Sequence, residues 1–186
     1  FANQIGDRSV VDHFGIDSTA LHAWLASRAP LRRTVVEALP ALFTKKTGKR
    51  RWIEKTPSHL LYLKAIRRDF PDARIIRIIR DPRDVALSLM RCSFGSQTFV
   101  KNLLLWREWD AESRAFFERD ALTYTLRYED LLTTPERELR ELSHFIGETF
   151  EMEMLNPSRS YDKVVQRHEH WKSGVAGNFD KSRAYA

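Results

Sequence analysis

The chain has 186 residues, which is enough for one sizeable hydrophobic core, and we expect a single domain over residues 1–186. Hydrophobic residues make up 42% and charged residues 30%, a balance typical of folded globular proteins that excludes an intrinsically disordered chain. The net charge of +6 favours an anionic partner, such as a nucleotide, a nucleic acid or an acidic acceptor.

The cysteine, histidine and apolar residues each exclude particular kinds of structure. The single cysteine, Cys92, excludes an internal disulfide and a cysteine-rich zinc site. The histidines lack the i, i+4 pairing of a helical zinc motif, so we predict no metal site. No apolar run reaches membrane-spanning length and the first residues lack the features of a signal peptide, so we expect a cytoplasmic protein.

Residues 1–48 are predicted to contain two helices. The first begins at Asp17 or Ser18, since either side chain can cap it. The second contains Pro40, which should kink or divide it, and it ends at Gly48.

A short strand candidate, Arg51–Glu54, leads into a proline that can start a helix. Thr56 is a suitable capping residue and Pro57 a suitable first-turn residue, and the apolar spacing predicts a helix over residues 58–69. The predicted strand therefore delivers Lys55 to its carboxyl end.

The stretch 73–89 has the same order of strand, cap, proline and helix. Its Ile-rich first half suits a strand covered on both faces, Asp81 can cap the following helix, and Pro82 can occupy the first turn. Arg80 thus lies where a strand ends and a helix begins, a place where open α/β sheets bind ligands and helix N–H groups favour anions. Ser88 follows about two helical turns later, so both side chains can point toward one end of the sheet. An arginine at this place can also simply form a surface ion pair.

The rest of the chain predicts a long helix, a third strand and a further helix. Residues 122–128 alternate with β-branched and aromatic side chains, which is typical of a strand, and a helix over residues 135–146 ends at Gly147. The long helix spans about residues 98–119, and its large apolar side chains are assigned to the core because helical spacing explains most of them: Leu103, Leu104, Trp106, Trp109, Phe116 and Phe117.

Strands that alternate with helices predict an α/β fold with a parallel sheet. Neighbouring parallel strands end at the same edge, so we expect Lys55, Arg80 and Tyr128 to reach one edge of that sheet.

With these features in view, the sequence resembles the sulfotransferase superfamily, whose members use 3′-phosphoadenosine-5′-phosphosulfate (PAPS) as the sulfuryl donor. The most specific match is Arg-Asp-Pro-Arg-Asp, with a serine eight positions after its first arginine. Four segments carry the resemblance: residues 52–59, residues 70–88, residues 127–131, and the tail near residues 170–172 and 182–183.

The resemblance implies a three-layer fold, with a parallel sheet and helices on both faces, related to the P-loop nucleotide kinases. It places a helical acceptor-side region at residues 1–48, a donor-binding core at residues 51–150, and a loop-rich segment at residues 151–186. The family begins with a strand and a loop rich in Gly, Ser and Thr, which holds the 5′-phosphosulfate. Residues 1–48 contain no such loop. Either the loop lies upstream and the fold is incomplete at its N-terminus, or the chain is a degenerate member of the family; we expect the former.

The resemblance also implies contacts to the donor. By position, Arg80 and Ser88 hold the 3′-phosphate, and Tyr128 contacts the adenine. The alternative for Tyr128 is a half-buried strand tyrosine with no ligand. The same match assigns Thr56 and Ser182 to the donor site.

Three residues near Pro57 are candidates for catalysis. Lys55 matches a basic residue near the phosphosulfate, where a cation stabilises charge on the leaving phosphate. The acceptor must also lose a proton, and His59 and Glu54 are rival candidates for the base. A histidine on a helix can equally be a packed or exposed residue without a catalytic role.

We therefore predict a sulfotransferase that needs no metal and moves a sulfuryl group from PAPS to a hydroxyl or amine, releasing 3′-phosphoadenosine-5′-phosphate. The acceptor is expected to be a small molecule, a carbohydrate or a peptide. Two alternatives stay open: a nucleotide-dependent kinase of related fold, and a non-catalytic module that binds anions or nucleic acid. The densest basic cluster, residues 45–51, favours a solvated loop over a nucleic-acid contact.

Overall fold

The computed structural model describes residues 15–92, 94–156 and 179. The chain falls into two compact units that divide between Pro71 and Asp72, and each unit is described by itself.

The described part of the first unit begins with two helices, α1 (Ser18–Ala26) and α2 (Arg32–Thr47). Of the two predicted caps of α1, Asp17 is the one that caps it, because its carboxylate accepts a hydrogen bond from the N–H of Thr19 at 3.1 Å. Gly48 ends α2 in the left-handed conformation, with φ of 69°, as its position predicts. The core between the helices contains a buried cluster of Ile16, Leu21 and Ala38, with Trp24, Leu25, Leu39, Leu42 and Phe43 packed against it.

Pro40 lies inside α2 and does not divide it, so of the two predicted effects, a kink or a division, the division is wrong. Ala38 is buried before the proline and Leu42 packs on the same core after it. This packing on both sides stabilises one continuous helix, although Pro40 removes one backbone hydrogen bond.

The prediction of a strand over Arg51–Glu54 is wrong: the segment has no regular secondary structure. Ile53 is 87% exposed, so the segment buries little apolar surface. A strand also needs a hydrogen-bonding neighbour, and the sheet in the described part of the chain pairs only two other segments. The predicted helix over residues 58–69 forms as a 3₁₀ helix (Pro57–Tyr62) followed by α3 (Leu63–Asp69).

The second unit contains a two-stranded parallel sheet with helices packed on it, which confirms the predicted α/β class with a parallel sheet. The register pairs Ile75 with Thr123 and Ile79 with Arg127, so both strands end at the same edge. The elements in order are β1 (Ile75–Ile79), α4 (Pro82–Leu89), α5 (Phe99–Arg119), β2 (Thr123–Arg127), α6 (Tyr128–Thr133), α7 (Pro135–Ile146) and a 3₁₀ helix (Met152–Leu155).

Among the described residues, β1 is covered on one face rather than on both, contrary to the prediction. Arg77 points toward α5, where its guanidinium lies 4.6 Å from the ring of Phe117. On the opposite face Ile78 is 61% exposed. On the same face of the sheet, the neighbouring strand β2 is covered at Tyr124, whose ring packs on Phe145 of α7 at 5.4 Å between ring centroids. The Ile-rich sequence suits a strand, but it does not reveal how many elements cover each face.

The buried face of α5 is more polar than predicted. Leu104, assigned to the core, is exposed, whereas Asn102 and Ser113 are buried. The amide of Asn102 donates to the carbonyls of Ala86 at 3.1 Å and Ser96 at 2.9 Å. Asn102 therefore joins α5 to the backbone of α4 and of the connecting loop, and the hydrogen bonds compensate for its burial.

Candidate functional site at the β1–α4 junction

The junction between β1 and α4 has the local structure that its sequence predicts. Pro82 is the first residue of α4, and Asp81 is its N-cap. The Asp81 carboxylate accepts the Arg83 backbone N–H at 2.8 Å. Arg80 therefore lies between the end of a strand and the capped start of a helix.

The side chain of Arg80 is held by two other elements of the second unit. Its Nη2 donates to Oδ2 of Asp84 at 3.1 Å, one turn into α4. Its Cζ lies 4.7 Å from the ring centroid of Tyr128, within the range of a cation–π contact. Asp84 is buried and Tyr128 is half-buried, so both partners have restricted positions. The guanidinium is thereby held in one orientation at the sheet edge.

Tyr128 reaches Arg80 because the two strands are parallel neighbours. It is the first residue of α6 and follows β2 directly, whereas the sequence predicted it at the end of the strand. Ile79 and Arg127 are paired in the sheet, so the residues that follow them lie side by side. The structure thus brings the predicted phosphate and adenine residues together, while their roles stay predictions.

Ser88 occupies an exposed position in the last turn of α4. It lies four residues after Asp84, so the two residues share one side of the helix. Its hydroxyl follows the Arg80–Asp84 pair along that side.

The negative charge of Asp81 is stabilised by the side chain of Arg83, in the first turn of α4. Nε and Nη2 of Arg83 donate to its two carboxylate oxygens at 3.0 and 2.6 Å. These side-chain hydrogen bonds, together with the backbone N–H of Arg83, lower the pKa of Asp81 from 3.8 to about 2. The capping carboxylate is therefore charged across the physiological pH range.

Two carboxylates at this junction were not singled out from the sequence. Asp84 pairs with Arg80, and the i, i+4 spacing was the available signal for it. Glu129 accepts the backbone N–H of Asp81 at 2.7 Å across 48 residues of sequence, for which no local signal exists.

In the first unit, the two rival candidates for the base are hydrogen-bond partners. Nδ1 of His59 lies 2.6 Å from Oε2 of Glu54, and their side chains are 37% and 38% exposed. The Thr56 hydroxyl donates to the other carboxylate oxygen of Glu54 at 2.5 Å. Thr56 therefore does not cap the 3₁₀ helix with its side chain, as the sequence predicted, because its hydroxyl serves Glu54 instead. The arrangement engages Nδ1 and directs the other ring nitrogen, Nε2, away from the carboxylate.

Lys55 lies between these residues and is exposed. Ser182 and the segment 170–172 fall outside the described residues. Within residues 15–92, 94–156 and 179, no group of three or more His, Cys, Asp or Glu side chains is placed to hold a metal ion. No helix in the same residues has the length and apolar character needed to cross a membrane.

Comparisons with known proteins point to one family. The model of the Sulfotransferase family matches residues 8–152. The solved "Sulfotransferase Domain from the Curacin Biosynthetic Pathway" is 18% identical, with a TM-score of 0.63, over 89% of this chain and 69% of that one. The "Sulfotransferase Domain from the Synechococcus PCC 7002 Olefin Synthase" is also 18% identical, with a TM-score of 0.63, over 95% and 70%. These likenesses confirm the predicted fold. A comparison with curated proteins finds no match.

Proposed function

Because the chain belongs to the sulfotransferase family, and is therefore a transferase, we propose that it moves a sulfuryl group from PAPS to an acceptor hydroxyl or amine. The acceptor class proposed is a small molecule, a carbohydrate or a peptide. Family membership favours sulfuryl transfer over the kinase and the nucleic-acid-binding alternatives.

The observation that carries the proposal is the held position of Arg80 between Asp84 and Tyr128. A guanidinium offers two parallel N–H donors to a phosphate, and fixing it beforehand reduces the entropy lost on binding. The tyrosine supplies an aromatic surface on which a planar base can stack. The residues present thus suit a nucleotide with a phosphate near its base, as the 3′-phosphate of PAPS is.

Three further residues are proposed as donor contacts. Ser88 adds a hydroxyl donor on the same side of α4 as Asp84. Thr56 and Ser182 remain donor contacts by resemblance, and Thr56 has its hydroxyl engaged by Glu54. PAPS supplies the reactive sulfuryl group when it is bound and leaves as 3′-phosphoadenosine-5′-phosphate.

His59 is the proposed base, and Glu54 holds it in place. The carboxylate of Glu54, 2.6 Å from Nδ1, accepts a hydrogen bond from the Nδ1–H, which leaves Nε2 as the basic nitrogen. When Nε2 takes the proton of the acceptor, the charge of Glu54 stabilises the resulting imidazolium. The two rival candidates thereby take separate roles. Lys55 is proposed to stabilise negative charge on the leaving phosphate.

The test measures sulfated product by mass spectrometry after the full-length protein is incubated with PAPS and a panel of alcohols, phenols and amines. His59→Asn is expected to lower the rate by about a hundredfold or more, and Glu54→Gln by less. His144→Asn, on an exposed position of α7, is the matched control and should keep the wild-type rate. An active His59→Asn variant would overturn the assignment of the base. Absence of product with every acceptor, together with no binding of 3′-phosphoadenosine-5′-phosphate, would overturn the function.

A further inference from the structure

Glu129 is a buried carboxylate that connects the two strand–helix junctions of the second unit. It is 2% exposed and is among the largest fully buried side chains in the described part of the chain. Its Oε1 accepts the backbone N–H of Asp81 at 2.7 Å. Its Oε2 lies 4.0 Å from Nη2 of Arg127, on the strand that precedes it. Burial of a carboxylate is costly, so these partners are needed to keep it in place.

The contact made by Glu129 runs beside the contact made by Tyr128. Consecutive residues of one junction, Arg80 and Asp81, meet consecutive residues of the other. One contact joins the guanidinium to the Tyr128 ring at 4.7 Å, and the other joins the Asp81 backbone to the Glu129 carboxylate. The second contact fixes the peptide from which the Arg80 side chain departs. A shift of that peptide would move the guanidinium relative to the ring.

The burial of Glu129 also limits what it can do. Its side chain is too enclosed to contact the substrate that accepts the sulfuryl group. Its short hydrogen bond is to the backbone rather than to a group that faces a ligand. Replacing it with a side chain that lacks the acceptor oxygen would leave the Asp81 N–H without this partner. The arrangement therefore suits an effect on binding that is transmitted through Arg80.

We propose that Glu129 is a positioning residue for the donor: it holds the Asp81 backbone so that Arg80 stays on Tyr128 and presents its guanidinium to the 3′-phosphate. The inference rests on the proposed function, since it concerns the same donor site. It predicts that Glu129 controls discrimination between nucleotides with and without a 3′-phosphate. A residue needed only for folding would change stability and leave that discrimination unaltered.

The test is titration calorimetry of the full-length protein with 3′-phosphoadenosine-5′-phosphate and with adenosine 5′-phosphate. The dissociation constant of adenosine 5′-phosphate divided by that of 3′-phosphoadenosine-5′-phosphate measures recognition of the 3′-phosphate. Glu129→Ala is expected to lower this ratio by about tenfold, because a hydrogen bond to a charged group is lost. Glu129→Gln keeps an acceptor oxygen and should restore most of the ratio. Glu138→Ala removes another buried carboxylate, on α7, and should lower stability while leaving the ratio unchanged.

The outcomes separate this inference from the proposed function. If the wild type discriminates and folded Glu129→Ala discriminates equally well, the positioning role is overturned. If the wild type itself does not discriminate, the donor assignment fails, and the inference fails with it. Should Glu129→Ala not fold, Glu129→Asp serves instead: it keeps the charge but is one methylene shorter, so the proposal predicts a lowered ratio, and a wild-type ratio would overturn it.

Discussion

Asp81→Asn is predicted to destabilise the protein only at pH values at which the aspartate would be charged. Asparagine is as good an N-cap as aspartate, so the substitution keeps the cap and removes the ion pair with Arg83. The pKa of Asp81 falls from 3.8 to about 2 on folding. A shift of that size corresponds to about 2.4 kcal/mol of stability at neutral pH if it were fully expressed. Arg83 is 71% exposed, however, and solvent screening reduces our expectation to about 1 kcal/mol.

The pH dependence gives this prediction its sign. Because the pKa of Asp81 is lower in the folded state, its ionised carboxylate contributes stability above pH 3.8. This contribution is lost as the pH falls through about 2. The difference in free energy of unfolding between wild type and Asp81→Asn should therefore be full at about pH 7 and no more than about half of that at about pH 3. Urea unfolding followed by circular dichroism at both pH values measures it. A difference that is the same at both, or that grows toward acid, would refute the reasoning.

Substitutions at three further positions test other parts of the structure. Gly48→Ala should cost about 1 kcal/mol in urea unfolding, because the left-handed backbone disfavours a side chain although nothing lies within 4 Å of the added Cβ; an unchanged midpoint would contradict it. Asp110→Ala should cost about 3 kcal/mol because it leaves Arg77, whose side chain is 13% exposed, without its carboxylate at 3.2 Å, whereas a cost below about 1 kcal/mol would show that the pair contributes little. Tyr128→Leu should weaken binding of adenosine nucleotides by about 1 kcal/mol in calorimetry and Tyr128→Phe by much less; equal affinities for the two variants would argue against a role for the ring.

The parts of the fold that depend on local chemistry could be predicted from the sequence. The cap at Asp17, the Asp81-Pro82 start of α4 and the end of α7 at Gly147 all follow from single residues with strong backbone preferences. The parallel pairing of β1 with β2 followed from the alternation of strands and helices.

The features that depend on distant partners could not be predicted. Arg51–Glu54 has the composition of a strand, but pairing is decided by what lies beside it. The exposure of Ile78 and Leu104 depends likewise on which faces other elements cover. Pro40 shows the reverse case, since packing on both sides overrides a strong local preference.

The sequence predicted the main residue of the candidate site, Arg80, but not the buried residue that supports it, Glu129. Arg80 is recognisable because the strand, cap and proline around it are local signals. Glu129 reaches the same junction from 48 residues away, and only the sheet register brings it there. Glu54 and His59 were both identified, but the sequence treated them as rivals, whereas the 2.6 Å contact makes them partners.

The central claim is that Arg80 recognises the 3′-phosphate of the donor, and one measurement tests it most directly. Calorimetry of the full-length protein with 3′-phosphoadenosine-5′-phosphate should show binding that Arg80→Ala weakens by tenfold or more, about 1.4 kcal/mol, through loss of charge-assisted hydrogen bonds. Arg140→Ala is the charge-matched control: this arginine pairs with Glu136 on α7 and should leave the affinity unchanged. Equal affinity of the wild type and Arg80→Ala would contradict the account.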